Sequence, residues 1–177
     1  MGYYINTEDI NVIVPKDLLE DAYKACLALN DRDDLKGGGS FGPERKYWFS
    51  WMPEDLATLP DLDAVFTALG FEDCEYNDKG DLVLGHYNNK KGQENVFLYA
   101  IAPFVQEGSY VIWHGEDDTW WKDEFHDGKM LTYNGEREVK WDTTPYDSML
   151  EEQRMQALFA RSRETTKAAL ATEESNA

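Results

Sequence analysis

The residues best placed for chemistry lie in "GSYVIWHGEDDTWWKDEFHDGK", Gly108 to Lys129. His114, Glu116, Asp117 and Asp118 stand there between two aromatic runs, and Trp121 follows three positions later. One histidine and three carboxylates this close together suggest three chemistries. They could surround a hard cation. Paired carboxylates could do acid–base work at a sugar or phosphate ester, with Trp113, Trp120 and Trp121 as a platform for a sugar ring. Or they form the solvated tip of an antiparallel hairpin whose strands carry core residues. The spacing favours the tip. A calcium loop alternates oxygen ligands over a longer run and ends on a bidentate Glu, a pattern that "HGEDDTWWKDEF" does not follow. His86, His114 and His126 fall at no zinc-binding spacing, and no Cys-x-x-Cys element accompanies them. No metal and no cofactor are expected.

The other nucleophiles are weakly placed. Cys26 falls on the apolar side of a helical pattern, where a thiol behaves as a small hydrophobe. Cys74 lies among Glu72, Asp73 and Glu75, whose charges hold a thiol in its protonated form. No Gly-x-Ser-x-Gly elbow is present. The loop "LKGGGSFGPERK" lacks the strand before, the helix after and the Lys-Ser/Thr that a phosphate cradle needs. No residue is therefore assigned to catalysis. The aromatic residues point instead to binding. Tyr47, Trp48, Phe49 and Trp51 lie so close together that strand alternation sends some outward, and Trp48 and Trp51 are candidate interface anchors. With His114, Glu116, Asp117, Asp118 and Trp121 they make up the candidate binding residues.

These side chains need elements to hold them. "GYYINTEDINVIVP" reads as two short strands around an acidic turn at Thr7 to Asp9. "KDLLEDAYKACLALN" is an amphipathic helix with Leu18, Leu19, Ala22, Tyr23, Cys26 and Leu29 on one side. "KYWFSWM" has the bulk of a strand. "PEDLATLPDLDAVFTALG" is a second helical region, with Pro60 in the first turn of its main segment and Gly70 just past its end. Short strands then follow: "FEDCEY" and "DLVLGHY" around "NDKG", "ENVFLYAIAPFV", "SYVIWH", "TWWKDEF" and "KMLTY". Asn134 and Gly135 are expected to turn the chain into "EREVKW". The fold class implied is α+β, an antiparallel meander of about six strands with two helices packed on one face as a two-layer sandwich. Residues 1–141 form that domain. Residues 142–177 read as a C-terminal helical extension with a thin apolar stripe and a frayed end, suited to docking, to holding a partner or to forming a homo-oligomer.

Composition narrows the function. Aromatic residues reach 14% of 177, too much apolar surface for a disordered chain. No run of about 18 apolar residues is present, so no membrane span is expected. Two cysteines without a basic and apolar leader suit a reduced, cytoplasmic setting. The formal net charge is −18, of which residues 1–141 carry −15. Such a field repels phosphate backbones, so direct nucleic-acid binding is excluded, whereas a basic protein surface is attracted.

From "MGYYI" at Met1 through "FSW" at Phe49–Trp51, "APFVQEGSY" at Ala102–Tyr110 and "GED" at Gly115–Asp117, the chain resembles a family of small bacteriophage and prophage proteins. Trp121, Phe125 and Val139 to Trp141 complete the resemblance, which covers roughly residues 1–141. Two positions depart from the pattern. Asp118 stands where the family has Gly, so the turn must tolerate a side chain or change shape. Asp123 stands where a second Trp is common. The resemblance implies a setting, the cytoplasm of an infected bacterium, rather than a reaction.

Together these readings lead to a non-enzymatic accessory protein that binds a basic host or phage protein through its acidic surface. Such a protein could act as a nucleic-acid mimic that inhibits a defence or DNA-handling enzyme. The alternatives are a small-molecule or metal-dependent enzyme centred on residues 114–121, or a dimerisation module.

Overall fold

The computed structural model describes residues 2–40, 43–136 and 138. The compact unit Met1–Arg137 is α+β. Its centre is a six-stranded antiparallel sheet in the order β11-β10-β9-β1-β8-β5. The strands are β1 (Tyr4–Asn11), β5 (Phe71–Glu72), β8 (His86–Lys90), β9 (Tyr110–Gly115), β10 (Trp120–His126) and β11 (Lys129–Gly135). Two short pairings flank it. One joins β2 (Ile13–Val14), β7 (Leu82–Val83) and β6 (Glu75–Tyr76), and the other joins β3 (Gly38–Gly39) to β4 (Tyr47–Trp48). Helices α1 (Leu19–Leu27), α2 (Leu62–Leu69) and α3 (Glu94–Ile101) supply the second layer.

The expected class and the six strands are present, but the sheet is not a simple meander, because β1 enters its middle between β8 and β9. The acidic segment at Thr7 to Asp9 is not a turn. The register shifts there, with Thr7 opposite Trp113 and Asp9 opposite Ile112, so the strand continues through a β-bulge. The extra residue, Glu8, puts two successive carboxylates on the solvent side, where Glu8 meets His114 and Asp9 accepts a hydrogen bond from Tyr110.

A second correction concerns "ENVFLYAI", which is a helix and not a strand. Phe97, Leu98 and Ile101 are buried while Asn95 and Tyr99 are exposed, the spacing of one helical face. β-Branched and aromatic residues were a misleading guide, because burial against α1 decides this segment. Three helices, not two, therefore cover the sheet. In "KYWFSWM" only Tyr47 and Trp48 pair in a strand, and Trp51 already has a left-handed φ of 66°. Asn134 and Gly135 make no turn either, since β11 runs straight through them opposite Trp121 and Trp120. The helix expected over 142–177, and the assembly role given to it, lie outside the described residues.

The "NDKG" connection does turn. The Asn77 side chain accepts from the Lys79 and Asp81 amides, and Gly80 supplies a φ of 83°. The two flanking segments each divide between sheets at Cys74 and Gly85. A side chain at Gly85 would fall 1.8 Å from the Glu72 carbonyl oxygen, so only glycine allows the two backbones to meet there. Helix α2 begins on Asp61, whose carboxylate caps the Ala64 amide, with Pro60 just outside. It ends on Gly70 at φ 107°, as its sequence implies.

The core is strongly aromatic. Phe66 of α2 meets Phe71, which meets Tyr87, which meets Trp113, which stacks beside Trp121, with ring centres 5.2 to 5.9 Å apart along the row. Each of these except Trp121 is essentially fully buried. The row crosses the sheet and ends at a half-buried indole.

Candidate functional site

Alternation along β10 sends Trp121, Asp123 and Phe125 under the helices and Lys122, Glu124 and His126 to the open face. On the covered side, beyond the end of the aromatic row, lies a cavity of about 490 Å³. Trp121 forms its platform, with Trp113 behind. The Lys91 ammonium lies 5.2 Å from the centre of the Trp121 ring, a cation–π contact.

Two nearly fully buried carboxylates line this cavity. Asp123 accepts from Trp113 Nε1 at 2.8 Å and from Thr132 Oγ1 at 2.5 Å, which pairs each oxygen with a neutral donor. Burial raises its pKa, against the opposing pull of those hydrogen bonds and of Lys91. Glu94 opens α3, and its Oε2 accepts from the Gly92 amide at 2.8 Å. Burial raises this pKa too, hydrogen bonds from the Glu94 and Gly92 amides oppose the rise, and the charge of Asp123 adds to it. A third carboxylate, Asp117, accepts from the Tyr3 hydroxyl and from the Thr119 amide at 3.2 Å. The Tyr3 hydrogen bond is the main reason its pKa is lowered. Tyr3 reaches it across Gly115, where a Cβ would fall 1.8 Å from the tyrosine oxygen. Asn95 and Asn134 add amides to the rim.

The sequence candidates divide. Asp117 and Trp121 line the cavity. His114 points the other way, 3.2 Å from Glu8 and 3.0 Å from Asp118, and stacks on Trp120 with ring centres 4.3 Å apart. Asp118 takes a left-handed φ of 65°, so the turn tolerates a side chain there. Glu116 is exposed at the tip, its amide bonded to the Tyr4 carbonyl at 3.0 Å. Trp48 and Trp51 do not line the cavity. Trp48 covers Gly38, where a Cβ would lie 2.3 Å from the indole nitrogen, and the half-exposed Trp51 sits beside Gly92.

Tyr3, Lys91, Glu94, Asn95, Asp123 and Asn134 were not candidates from sequence. Only Asp123 carried a signal, as a charge at an inward position between Trp121 and Phe125. Glu94 and Asn95 were hidden by reading their helix as a strand. Among the described residues no group of three His, Cys, Asp or Glu side chains is placed to hold a metal ion. Cys26 is fully buried, with its thiol pushed up to about 12 by burial alone. Burial first, and then the charges of Asp63 and Asp73, also raise Cys74, against a hydrogen bond from the Gly85 amide. Neither thiol is poised as a nucleophile. No helix among the described residues is long and apolar enough to cross a membrane. No protein-family model, curated protein or solved structure matches this chain.

Proposed function

We propose that this protein is a non-enzymatic binding protein that engages a basic protein partner through an acidic surface on α2 and the β5–β6 segment. One observation carries the reading. Between Lys46 and Lys79 the chain has no lysine or arginine but eight carboxylates, seven of them exposed. Asp61 and Asp63 at the start of α2 lie close enough to Tyr76 to help raise its phenol, after burial, so these segments share one region of surface. The half-exposed Tyr76 gives that region an aromatic anchor. Near it, His86 is 3.3 Å from Glu72 and 3.5 Å from Asp73.

Carboxylates spread over a surface with so few cations repel phosphate and attract a basic face. A face that normally holds nucleic acid is the best match. With the resemblance to phage proteins, this supports an accessory role in an infected bacterial cytoplasm, inhibiting a defence or DNA-handling enzyme by occupying its nucleic-acid groove.

The test compares the native chain with a variant carrying Asp61→Asn, Asp63→Asn, Glu72→Gln, Asp73→Asn and Glu75→Gln. Both are immobilised and exposed to bacterial lysate at low and high salt, with and without duplex DNA. The native chain should retain a basic, nucleic-acid-handling protein that high salt or DNA removes and that the variant does not hold. A partner held equally by the variant, or none at either salt, overturns the proposal.

A further inference from the structure

We infer that the cavity at Trp121 is a binding site for a neutral carbohydrate, about one or two sugar rings in size. It shares no residue with the acidic surface proposed above, and the two readings stand or fall separately.

The cavity's volume of about 490 Å³ is in the range of small-molecule sites. Its polar groups are distributed in a particular way. Three separate segments place them around one indole: Asp117 and Thr119 from the β9–β10 turn, Thr132 and Asn134 from β11, and Lys91 with Asn95 from the β8–α3 connection and the first turn of α3. An apolar platform ringed by hydrogen-bonding groups fits a ligand whose faces carry C–H groups and whose perimeter carries hydroxyls, which describes a pyranose. Hydroxyls donate and accept at once, and so satisfy carboxylates, amides and an ammonium in the same site.

The charges exclude the main rivals. Among the described residues, Asp117, Asp123 and Glu94 face one cation, Lys91, so phosphates and carboxylates are repelled. A free organic cation would have to displace Lys91 from the Trp121 ring and would leave the rim groups on β11 unused. A flat aromatic molecule would cover the indole yet make no hydrogen bond with the ring of polar groups. The platform is backed by a fixed ring, since Trp113, stacked behind Trp121, is held by Asp123 at 2.8 Å. Rigidity matters because a shallow polar site cannot also meet the cost of ordering its own side chains.

The experiment applies the full chain to an array of neutral mono- to tetrasaccharides, followed by calorimetric titration of the best binder. Butylamine and adenosine monophosphate are titrated as cationic and anionic aromatic probes. At least one saccharide should bind, with neither of the other probes competing. Trp121→Ala and Asn134→Ala should each weaken that binding about tenfold or more. Asn134 is exposed, so its variant keeps the test valid if loss of the indole disturbs folding. The acidic-surface variant Asp61→Asn should bind the saccharide unchanged. No saccharide bound, binding indifferent to Asn134→Ala, or preference for butylamine or the nucleotide would overturn the inference.

Discussion

Asp123 and Glu124 are neighbours on β10, and alternation puts one under the helices and the other on the open face. Asp123 is buried among neutral donors and its pKa is raised, with desolvation the largest cause. Glu124 faces Lys122 and His126, and its pKa is lowered, with the Lys122 hydrogen bond the largest cause. Lys122 itself lies over the Tyr133 ring at 5.3 Å, and His126 also meets Glu107, so the open face is a chain of solvated ion pairs. One strand thus serves two purposes. On its covered side carboxylates shape a cavity, and on its open side they carry charge. The chain's formal charge of −18 hides this division, because Asp123 counts the same as Glu124 in a sum.

The covered side should prove much the more costly to alter. Trp113→Ala removes the largest fully buried side chain and breaks the aromatic row at its junction with the cavity. Urea unfolding should show a loss of about 3–5 kcal/mol. A loss under about 1 kcal/mol would mean that the row is not the core of this unit.

Next in size is Asp123→Ala. It leaves the buried Trp113 N–H without its acceptor, which costs about 1–3 kcal/mol. Asp123→Asn should cost far less, because the amide oxygen can still accept from the indole while Thr132 reverses its hydroxyl. If the two variants unfold alike, the hydrogen bond is not what Asp123 contributes.

The pH dependence sharpens the comparison further. A carboxyl whose folded pKa is raised binds its proton more tightly folded than unfolded. Stability therefore falls as pH rises from about 4, the ordinary carboxylate range, through the raised folded values of Asp123 and Glu94. Glu124 has the opposite sign, since its lowered pKa gives stability that is lost on acidification. In the double variant Asp123→Asn, Glu94→Gln the decline that sets in above about pH 4 should vanish, leaving only the small fall through the His126 value, while the acid-side loss remains. Unfolding midpoints measured from about pH 2 to 8 would decide this, and an unchanged decline would assign it to other groups.

The same division explains what could be read from the sequence. The hairpin tip at Gly115 to Asp118 was legible because turn acids and flanking aromatic residues are local signals. The end of α2 was legible for the same reason, with Gly70 as stop, whereas its start was misplaced: Pro60, expected in the first turn, lies just outside the Asp61 cap. The cavity was not, because it joins residues distant in the chain: Tyr3 reaches Asp117, and Lys91 reaches Trp121. The bulge at Glu8 escaped because an unpaired acidic residue looks the same in a turn. α3 escaped because Phe97, Leu98 and Ile101 resemble a buried strand until α1 is there to receive them. Of the candidate residues, Asp117 and Trp121 met in one site because they flank a single tight turn. His114, just before the turn in the same stretch, was carried to the other face by its one-residue step in alternation from Trp113.

The smallest expected effect lies on the open face and tests whether its charges act as a connected group. His126 bridges the carboxylates of Glu107 and Glu124, and its pKa is raised, with the Glu107 hydrogen bond the leading cause and the Glu124 hydrogen bond next. The stabilisation is fully present below the ordinary histidine value of about 6.5 and is lost as pH rises through the raised folded value. Both partners are solvated, so the unfolding midpoint should barely move when the pair is broken. The titration of His126 is the sensitive readout. Followed by NMR, its midpoint should drop in Glu107→Gln towards the ordinary value, without reaching it, because Glu124 still holds the other ring nitrogen at 2.8 Å. Adding Glu124→Gln should complete the fall. Glu107→Gln leaving the midpoint in place would show that water, and not this ion pair, sets the charge of the open face.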